Sequence, residues 1–256
     1  MPSIDHKTIL VTGGAHRIGG HISSRLAEEG WSVAIHCHKS VDQANELART
    51  IISQGGNAAT FSADLSSSES LSGLMSRVVD ELGPVGALIN NASIFEAEQW
   101  DDVSLNSWAA HLDVNLRAPF FLSQAFAQQM PRNSFGAIIN IIDQRVWNLT
   151  PGFISYTVSK SGLWTLTQTL AMALAPQIRV NGIGPGPTFA NKRQDKKAFI
   201  RQSESMPLKH RVLPSDISDT VIYLLDTTSV TGQMIAVDSG EHLGWTQASQ
   251  IRQFDD

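Results

Sequence analysis

The sequence has few cysteines and few charges, and each deficit excludes a class of protein. Cys37 is the single cysteine among 256 residues, so no internal disulfide can form and a disulfide-stapled scaffold is excluded. Charged residues make up 17% of the chain, against roughly 25% in an average soluble protein. This low fraction argues against a disordered chain and against a surface that coats nucleic acid. The net charge of −5 indicates no particular partner.

Long apolar runs are also absent. No segment reaches the roughly 18 consecutive apolar residues of a membrane-spanning helix. Residues 1–7 are polar, and the apolar run from Ile9 to Val11 is too short for the core of a signal peptide. Together with the lone cysteine, these features predict a soluble, cytoplasmic protein that binds neither nucleic acid nor membrane.

Short β-branched runs alternate with longer amphipathic stretches along almost the whole chain. The short runs predict strands at 8–12, 33–37, 58–63, 87–90, 136–142, 178–183 and 233–237. The amphipathic stretches predict helices at 18–30, 41–53, 68–82, 104–130 (interrupted or bent near Pro119) and 155–175. This alternation predicts one α/β domain over residues 1–256, with a Rossmann-like, doubly wound parallel sheet of about seven strands and helices on both faces.

The least regular segment is 185–211, which we expect to lie near the substrate. Its part from Ala190 to Arg211 carries seven basic residues against two acids. One interpretation is a solvated helix face over the site, and the other is a mobile lid that favours an anionic substrate or carrier. The residues concerned are Lys192, Arg193, Lys196, Lys197, Arg201, Lys209 and Arg211, with Asp195 and Glu204 as the acids.

A glycine-rich turn, Thr12 to Gly19, lies between the first predicted strand and the first predicted helix. In a doubly wound fold this position holds a nucleotide pyrophosphate, because glycines allow close approach and the helix N-terminus offers free N–H groups. A tight turn without a ligand is the alternative. The candidate cofactor contacts in this turn are Gly13, His16, Arg17, Ile18 and Gly19.

The end of the second strand indicates which nicotinamide cofactor is used. A site for NAD usually places an acid about 20 residues after the glycines, where it binds the ribose hydroxyl. The sequence has His38-Lys39-Ser40 there, with no acid before Asp42. Because Arg17, Lys39 and Ser40 could neutralise a 2′-phosphate, we predict NADP(H) as the cofactor.

Further polar residues follow the strands on the ligand side of the predicted sheet. Tyr156 and Lys160 are four positions apart, so both project from one face of their helix. Asp143 lies 13 residues before Tyr156, at the end of the apolar fifth strand. Asn115 lies within a predicted helix, and the sequence Asn-Asn-Ala-Ser at 90–93 follows the fourth strand. All of them fall where a doubly wound sheet binds its ligand.

These motifs, together with the glycine turn and Pro185-Gly186, resemble the short-chain dehydrogenase/reductase family over essentially the whole chain. The resemblance implies that Tyr156 is the proton donor and that Lys160 binds the nicotinamide ribose and lowers the tyrosine pKa. It implies that Asn115 holds a proton-relay water and that the protein is a homotetramer built on the helices at 104–130 and 155–175. It also implies cofactor contacts at His38, Lys39, Ser40, Asp64, Leu65, Asn91, Ala92, Ser93, Tyr156, Lys160, Pro185 and Gly186.

Two residues depart from the common family pattern. Arg17 stands where a small residue is usual, and Asp143 stands where a serine is usual. At both positions the sequence resembles one branch of the family, the pteridine reductases and the related bacterial dihydromonapterin or alternative dihydrofolate reductases. That branch implies that Phe95 stacks a pterin ring against the nicotinamide and that Arg17 reaches the cofactor phosphate and the pterin. The substrate contacts implied are Arg17, Ser93, Phe95, Asp143 and Tyr156.

The chemistry of Asp143 favours the same branch. An ionised carboxylate has no proton to donate to the oxygen of a ketone that becomes negative, whereas it can accept from ring N–H groups and orient Tyr156. We therefore predict an NADPH-dependent reductase of a pterin or dihydrofolate-like small molecule. The alternatives are a carbonyl reductase acting on 3-oxoacyl or other ketones, and an NADP(H)-binding sensor without catalysis. Asp143 as a strand-end residue without a role and Phe95 as a packing residue also stay open. No metal site is predicted.

Overall fold

Seven parallel strands form the centre of the structure, a computed structural model that describes residues 4–190 and 196–244. Their order is β3-β2-β1-β4-β5-β6-β7, which confirms the predicted doubly wound sheet. Every residue of β4 and β5 is buried, as expected of strands covered on both faces. The bounds are β1 Thr8–Val11, β2 Ser32–Cys37, β3 Asn57–Ser62, β4 Val85–Asn90, β5 Gly136–Ile141, β6 Ile178–Pro185 and β7 Met234–Val237.

Helices cover both faces of the sheet, and each face has its own apolar core. On one face, Ile22 of α1 and Val221 of α9 belong to the same buried cluster as Ile9 of β1. On the other, Leu74 of α4 and Phe126 of α6 pack with the alternate strand residues. The bounds are α1 Arg17–Glu28, α2 Val41–Ser53, α3 Ser68–Ser72, α4 Leu74–Leu82, α5 Leu105–Leu112, α6 Ala118–Gln129, α7 Ile154–Ala173, α8 Lys196–Ser205 and α9 Pro214–Asp226.

Two of the predicted helices are divided in the structure. The helix predicted at 68–82 is two helices, α3 and α4, which meet at Gly73, a residue type that stabilises a helix poorly. The helix predicted at 104–130 is divided by a wide, π-helical turn at Asp113–Arg117. The helix is thus interrupted near Pro119, as expected, but by the wide turn that precedes the proline and not by a bend at the proline itself. That proline lies in the first turn of α6, where its missing N–H breaks no helical bond.

The segment predicted to be least regular contains a helix. Within 185–211, α8 buries Phe199 and Ser203 against the rest of the molecule, and Met206, directly after the helix, is also buried. Lys192, Arg193 and Asp195 lie outside the described residues, and the mobile-lid interpretation stays a prediction.

The strand order determines where a ligand binds. The chain runs from β1 outward to β3 on one side, then returns to place β4 on the other side of β1. Such a reversal opens a crevice at the carboxyl ends of β1 and β4, where doubly wound folds bind their ligands. The polar residues predicted from the sequence follow these and the neighbouring strands.

Candidate active site

A cavity of about 820 Å³ opens at the carboxyl ends of the strands. Its size is within the usual range for a small-molecule site, about 300–1,000 Å³. Gly19 and Asn115 are the two predicted site residues that do not line it. Those that do are Gly13, His16, Arg17, Ile18, His38, Lys39, Ser40, Asp64, Leu65, Asn91, Ala92, Ser93, Phe95, Asp143, Tyr156, Lys160, Pro185 and Gly186.

The glycine turn forms one wall of the cavity. Gly13 has a φ of +60°, which glycine adopts readily. A side chain at Gly19 would overlap the carbonyl oxygen of Gly13, so the turn requires glycine there too. Helix α1 begins at Arg17, and the side chain of the preceding His16 makes no capping hydrogen bond. The free N–H groups at this end can therefore bind an anion.

His36 supports this turn from β2. Its Nδ1 accepts a hydrogen bond from the Gly13 N–H at 3.1 Å, and its Nε2 lies 3.1 Å from the carbonyl oxygen of Ala63. Burial lowers the pKa of His36 to about 4, so the ring is neutral. The two contacts assign the proton to Nε2. The sequence suggested no such role, because the contact joins residues 23 positions apart.

Asn91 joins the end of β4 to the same turn. Its side-chain amide donates to the carbonyl oxygens of Thr12 and Gly13 at 2.8 and 3.1 Å. The Thr12 hydroxyl accepts from the backbone N–H groups of Asn91 and Ala92 at 2.9 and 3.0 Å. Asn91 thus fixes the two strand ends that flank the crevice.

Tyr156 and Asp143 are in direct contact. The Tyr156 hydroxyl donates to Asp143 Oδ2 at 2.8 Å, and Asp143 Oδ1 accepts from the backbone N–H of Arg145 at 2.8 Å. Lys160 Nζ donates to the carbonyl oxygen of Ile141 at 2.8 Å and lies 5.9 Å from the centre of the Tyr156 ring. The spacing of Tyr156 and Lys160 on α7 therefore brings both side chains to one end of β5.

The electrostatics keep Tyr156 protonated. Burial raises its pKa well above the ordinary value, and the charge of Asp143 and its hydrogen bond raise it further. The groups that shift this pKa in the structure are Asp143 and Arg145, so the expectation that Lys160 lowers it stays a prediction. Burial lowers the pKa of Lys160 itself to about 8, opposed by Asp143, and the carboxylate rather than the ammonium contacts the phenol. Tyr156 is consequently present as the donor at neutral pH.

Asn115 lies in the wide turn between α5 and α6. Its side chain donates to the carbonyl oxygen of Ile94 at 3.0 Å and to Ser159 Oγ at 3.1 Å, and it accepts from the Ile94 N–H at 2.8 Å. These bonds fix the loop after β4 against α7. A relay water on Asn115 stays a prediction.

An aromatic platform lies beside the Tyr156 hydroxyl. Phe95 stacks on Phe153 with 4.6 Å between ring centres and meets the Tyr156 ring edge-on at 4.7 Å. The Arg145 guanidinium lies 4.8 Å from the Phe153 ring centre. Arg17 lies similarly over Phe189, at 5.1 Å. Sequence reasoning found Phe95 and Arg17 through the resemblance but missed their partners, which no spacing or motif singles out.

A buried carboxylate holds the start of α7. Glu98, which is 4% exposed, accepts from the Ser155 N–H at 3.1 Å and also from the Ser155 and Ser107 hydroxyls. His111 Nδ1 lies 3.1 Å from its Oε1. Burial would raise the pKa of Glu98, but the serine hydrogen bonds and the His111 charge outweigh it and leave the pKa below its ordinary value. Glu98 therefore acts as the capping side chain for the N-terminus of α7, next to Tyr156.

Neither a metal-binding cluster nor a membrane-spanning helix is present among the described residues. No group of three or more His, Cys, Asp or Glu side chains there is arranged to hold a metal ion. None of the helices in residues 4–190 and 196–244 is long and apolar enough to cross a membrane.

Known proteins resemble this chain over most of its length. A model of the short chain dehydrogenase family matches residues 7–200. The 3-oxoacyl-[acyl-carrier-protein] reductase FabG of Staphylococcus epidermidis is 31% identical, over 93% of this chain and 100% of its own. The crystal structure of FolM alternative dihydrofolate reductase 1 from Brucella canis complexed with NADP is 43% identical and superposes with a TM-score of 0.92, covering 96% of this chain and 97% of its own. The Brucella suis protein, also in complex with NADP, is 44% identical with a TM-score of 0.91, covering 94% and 97%. This chain therefore belongs to the short-chain dehydrogenase family of oxidoreductases.

Proposed function

We propose that this protein reduces a C=N bond in the ring of a pterin or a dihydrofolate-like compound, with NADPH as the hydride source and Tyr156 as the proton donor. The observation that carries the proposal is the 2.8 Å hydrogen bond from the Tyr156 hydroxyl to Asp143. A ketone reductase needs a second hydrogen-bond donor for the oxyanion that develops during the reaction. This site has a carboxylate in that place, and an ionised carboxylate only accepts hydrogen bonds. A substrate with ring N–H groups can donate to that carboxylate.

The residues at the other end of the cavity fit NADP(H). Lys39, Ser40 and Arg17 line the cavity after β2 and beside the glycine turn, and they could bind a 2′-phosphate. The turn and the start of α1 offer N–H groups to the pyrophosphate. When bound, the cofactor supplies the hydride. Asp64, Leu65, Pro185 and Gly186 also line the cavity, and we propose that the first two contact the adenine and the last two the nicotinamide.

The remaining steps belong to side chains of this chain. Phe95, backed by Phe153, offers a flat surface against which a planar ring can stack. Asp143 accepts from the substrate and keeps the Tyr156 hydroxyl in place. Tyr156 delivers its proton to the ring nitrogen, and Lys160, with a pKa of about 8, can hold a proton close by near neutral pH.

Similarity to known proteins supports the pterin or folate class. The two Brucella proteins, which are alternative dihydrofolate reductases with NADP bound, are 43% and 44% identical to this chain. The Staphylococcus 3-oxoacyl reductase is 31% identical. The higher identity favours the class of substrate that Asp143 fits.

A kinetic screen tests the proposal. NADPH oxidation would be followed with quinonoid and 7,8-dihydropterins, dihydrofolate and several ketones. We expect turnover of at least one dihydropterin or dihydrofolate, and Tyr156→Phe should lower kcat by about 10²- to 10⁴-fold with little change in KM for NADPH. Tyr223→Phe, which alters an exposed tyrosine, is the control. Unimpaired turnover by Tyr156→Phe would refute the mechanism.

The second candidate function is reduction of a 3-oxoacyl or similar ketone. It is favoured by the 31% identity to the 3-oxoacyl reductase over 93% of this chain. The basic segment, with Arg201, Lys209 and Arg211 exposed, would suit an acidic carrier. Asp143→Ser distinguishes the two candidates: it should impair a pterin reductase but improve a ketone reductase, because serine can donate to the oxyanion.

We also propose the homotetramer that the family resemblance implies. Phe120 and Phe121 of α6 and Met172 of α7 are large apolar side chains left exposed in the single chain. Exposed apolar surface of this kind is typical of subunit interfaces. Light scattering should give four times the mass of one chain, 27.8 kDa. The cytoplasmic location stays a prediction.

A further inference from the structure

We propose that Glu241 determines which substituent the substrate carries: it selects a neutral group with a hydrogen-bond donor and rejects an anionic one. This inference rests on the proposed function and extends it to a residue that neither the sequence motifs nor the resemblance singled out. Glu241 lines the same cavity as Asp143, Tyr156 and Phe95. It follows β7, at the opposite edge of the sheet from β2 and β3, so it borders the substrate rather than the adenine end.

Three separate segments meet at the Glu241 carboxylate. Gln144, directly after Asp143, donates from Nε2 to Glu241 Oε2 at 3.0 Å. Gln202 of α8 donates from Nε2 to Glu241 Oε1 at 3.2 Å. A carboxylate offers about four acceptor positions, so roughly two remain for a ligand. The carboxylate is thus held in place with acceptor capacity to spare.

The hydrogen-bond donors of this carboxylate are the neutral amides of Gln144 and Gln202. Among the described side chains, in 4–190 and 197–244, no lysine or arginine forms an ion pair with Glu241. Burial raises the pKa of Glu241, and the charge of Asp143 raises it further, against the Gln202 hydrogen bond and Arg145. Two acids therefore face one cavity.

The Arg145 side chain, which also lines the cavity, is engaged elsewhere. Arg145 donates from its guanidinium to Thr150 Oγ1 at 2.8 Å and lies over the Phe153 ring. It therefore supports the aromatic platform rather than pairing with Glu241. A hydroxyl or N–H group of the substrate would gain a charge-assisted hydrogen bond there, whereas a carboxylate would be repelled.

The comparison of two reducible substrates tests this inference. 6-Hydroxymethyl-7,8-dihydropterin carries a neutral hydroxyl, and 7,8-dihydrofolate carries a tail with two carboxylates. Hydrogen bonds to charged groups contribute about 1.5–3 kcal/mol, which corresponds to roughly 10- to 150-fold in affinity. We expect Glu241→Gln to lower the preference for the hydroxymethyl compound, as a ratio of kcat/KM values, by about tenfold or more. The change should lie in KM, with kcat and the KM for NADPH little altered.

Two further variants make the test specific. Glu241→Asp keeps the charge and should retain more of the preference than Glu241→Gln. Glu204→Gln removes an exposed acid of α8 and should leave the preference at the wild-type value. Thermal melting checks that each variant is folded.

The possible outcomes separate this inference from the proposed function. If the wild type reduces neither compound, the proposed function fails and the inference fails with it. If the wild type reduces either compound but Glu241→Gln leaves the ratio unchanged, the inference alone is wrong. If Glu204→Gln shifts the ratio as much as Glu241→Gln, general charge rather than a contact at Glu241 sets the preference, and the inference is also wrong.

Discussion

Replacing Glu98 with alanine should destabilise the fold far more than a typical substitution. The carboxylate is 4% exposed and receives hydrogen bonds from the backbone and hydroxyl of Ser155 and from the hydroxyl of Ser107, with His111 beside it. Alanine would leave these groups buried without their acceptor. It would also remove the hydrogen bond that caps the start of α7, next to Tyr156.

The size of the effect follows from these contacts. Loss of a helix cap costs about 1 kcal/mol, and each buried donor left unsatisfied costs about 1–3 kcal/mol. His111 Nε2 accepts from the Glu96 N–H at 3.2 Å, which leaves Nδ1 to carry the ring proton as a further donor toward Glu98. Because these contributions overlap at one carboxylate, we expect a loss of about 3–5 kcal/mol in the free energy of unfolding. Typical domains have about 5–15 kcal/mol in total, so much of the stability depends on Glu98.

The effect should also depend on pH. In the folded state the pKa of Glu98 lies below its ordinary value, and in the unfolded state it is about 4.3. A group whose pKa is lowered by folding stabilises the fold above its unfolded pKa, and this stabilisation is lost as the pH falls through the folded pKa. The difference between the wild type and Glu98→Gln should therefore be largest near neutral pH and shrink below about pH 4.

Urea unfolding, with and without the substitution, measures this energy. Asp102→Ala is the matched control, since Asp102 is an exposed acid of the same loop that accepts a single backbone hydrogen bond, from Gln99 at 2.6 Å. It should cost about 1 kcal/mol or less. A loss below about 1 kcal/mol for Glu98→Ala would refute the assignment of Glu98 as the acceptor that holds α7.

Three further predictions concern the cavity. Gly19→Ala should destabilise the fold by about 1–3 kcal/mol and weaken NADPH binding, because the added methyl overlaps the turn; melting curves with and without NADPH measure both effects. Lys39→Asp should lower the preference for NADPH over NADH by about tenfold or more, and an unchanged ratio of kcat/KM values would argue against a 2′-phosphate at Lys39. Asp143→Asn should let Tyr156 ionise at lower pH. In a Tyr223→Phe background Tyr156 is the remaining tyrosine of two, so ultraviolet titration reports it directly.

The parts of the fold and site that could be predicted are those with a local signal. The β-branched runs predicted the strands to within about two residues, because burial on both faces leaves a compositional trace that does not depend on partners. Tyr156 and Lys160 were assigned to one face by helical spacing alone. The turn from Gly13 to Gly19 was found because its glycines are required by backbone geometry within the turn itself.

The parts that were missed depend on contacts between distant segments. Glu98 accepts a hydrogen bond from Ser155, which is 57 residues away in the sequence, and Glu241 accepts one from Gln144, which is 97 residues away. Neither acid differs in the sequence from an exposed one. Phe153 lies just before α7 with a φ of +58°, which is uncommon for a residue other than glycine, and its ring stacks on Phe95. No periodicity in the sequence indicates this contact.

The hydrogen-bonding groups that line the cavity bear on the proposed choice between a ketone and a ring with N–H groups. At the substrate end the cavity presents two carboxylates, Asp143 and Glu241, beside the Tyr156 hydroxyl. A ketone arrives with an acceptor and would find the Tyr156 hydroxyl bonded to Asp143. A ring with N–H groups arrives with donors and finds several acceptors. Since an unpaired buried polar group costs about 1–3 kcal/mol, this arrangement supports the proposed preference for a donor-rich ring over a ketone.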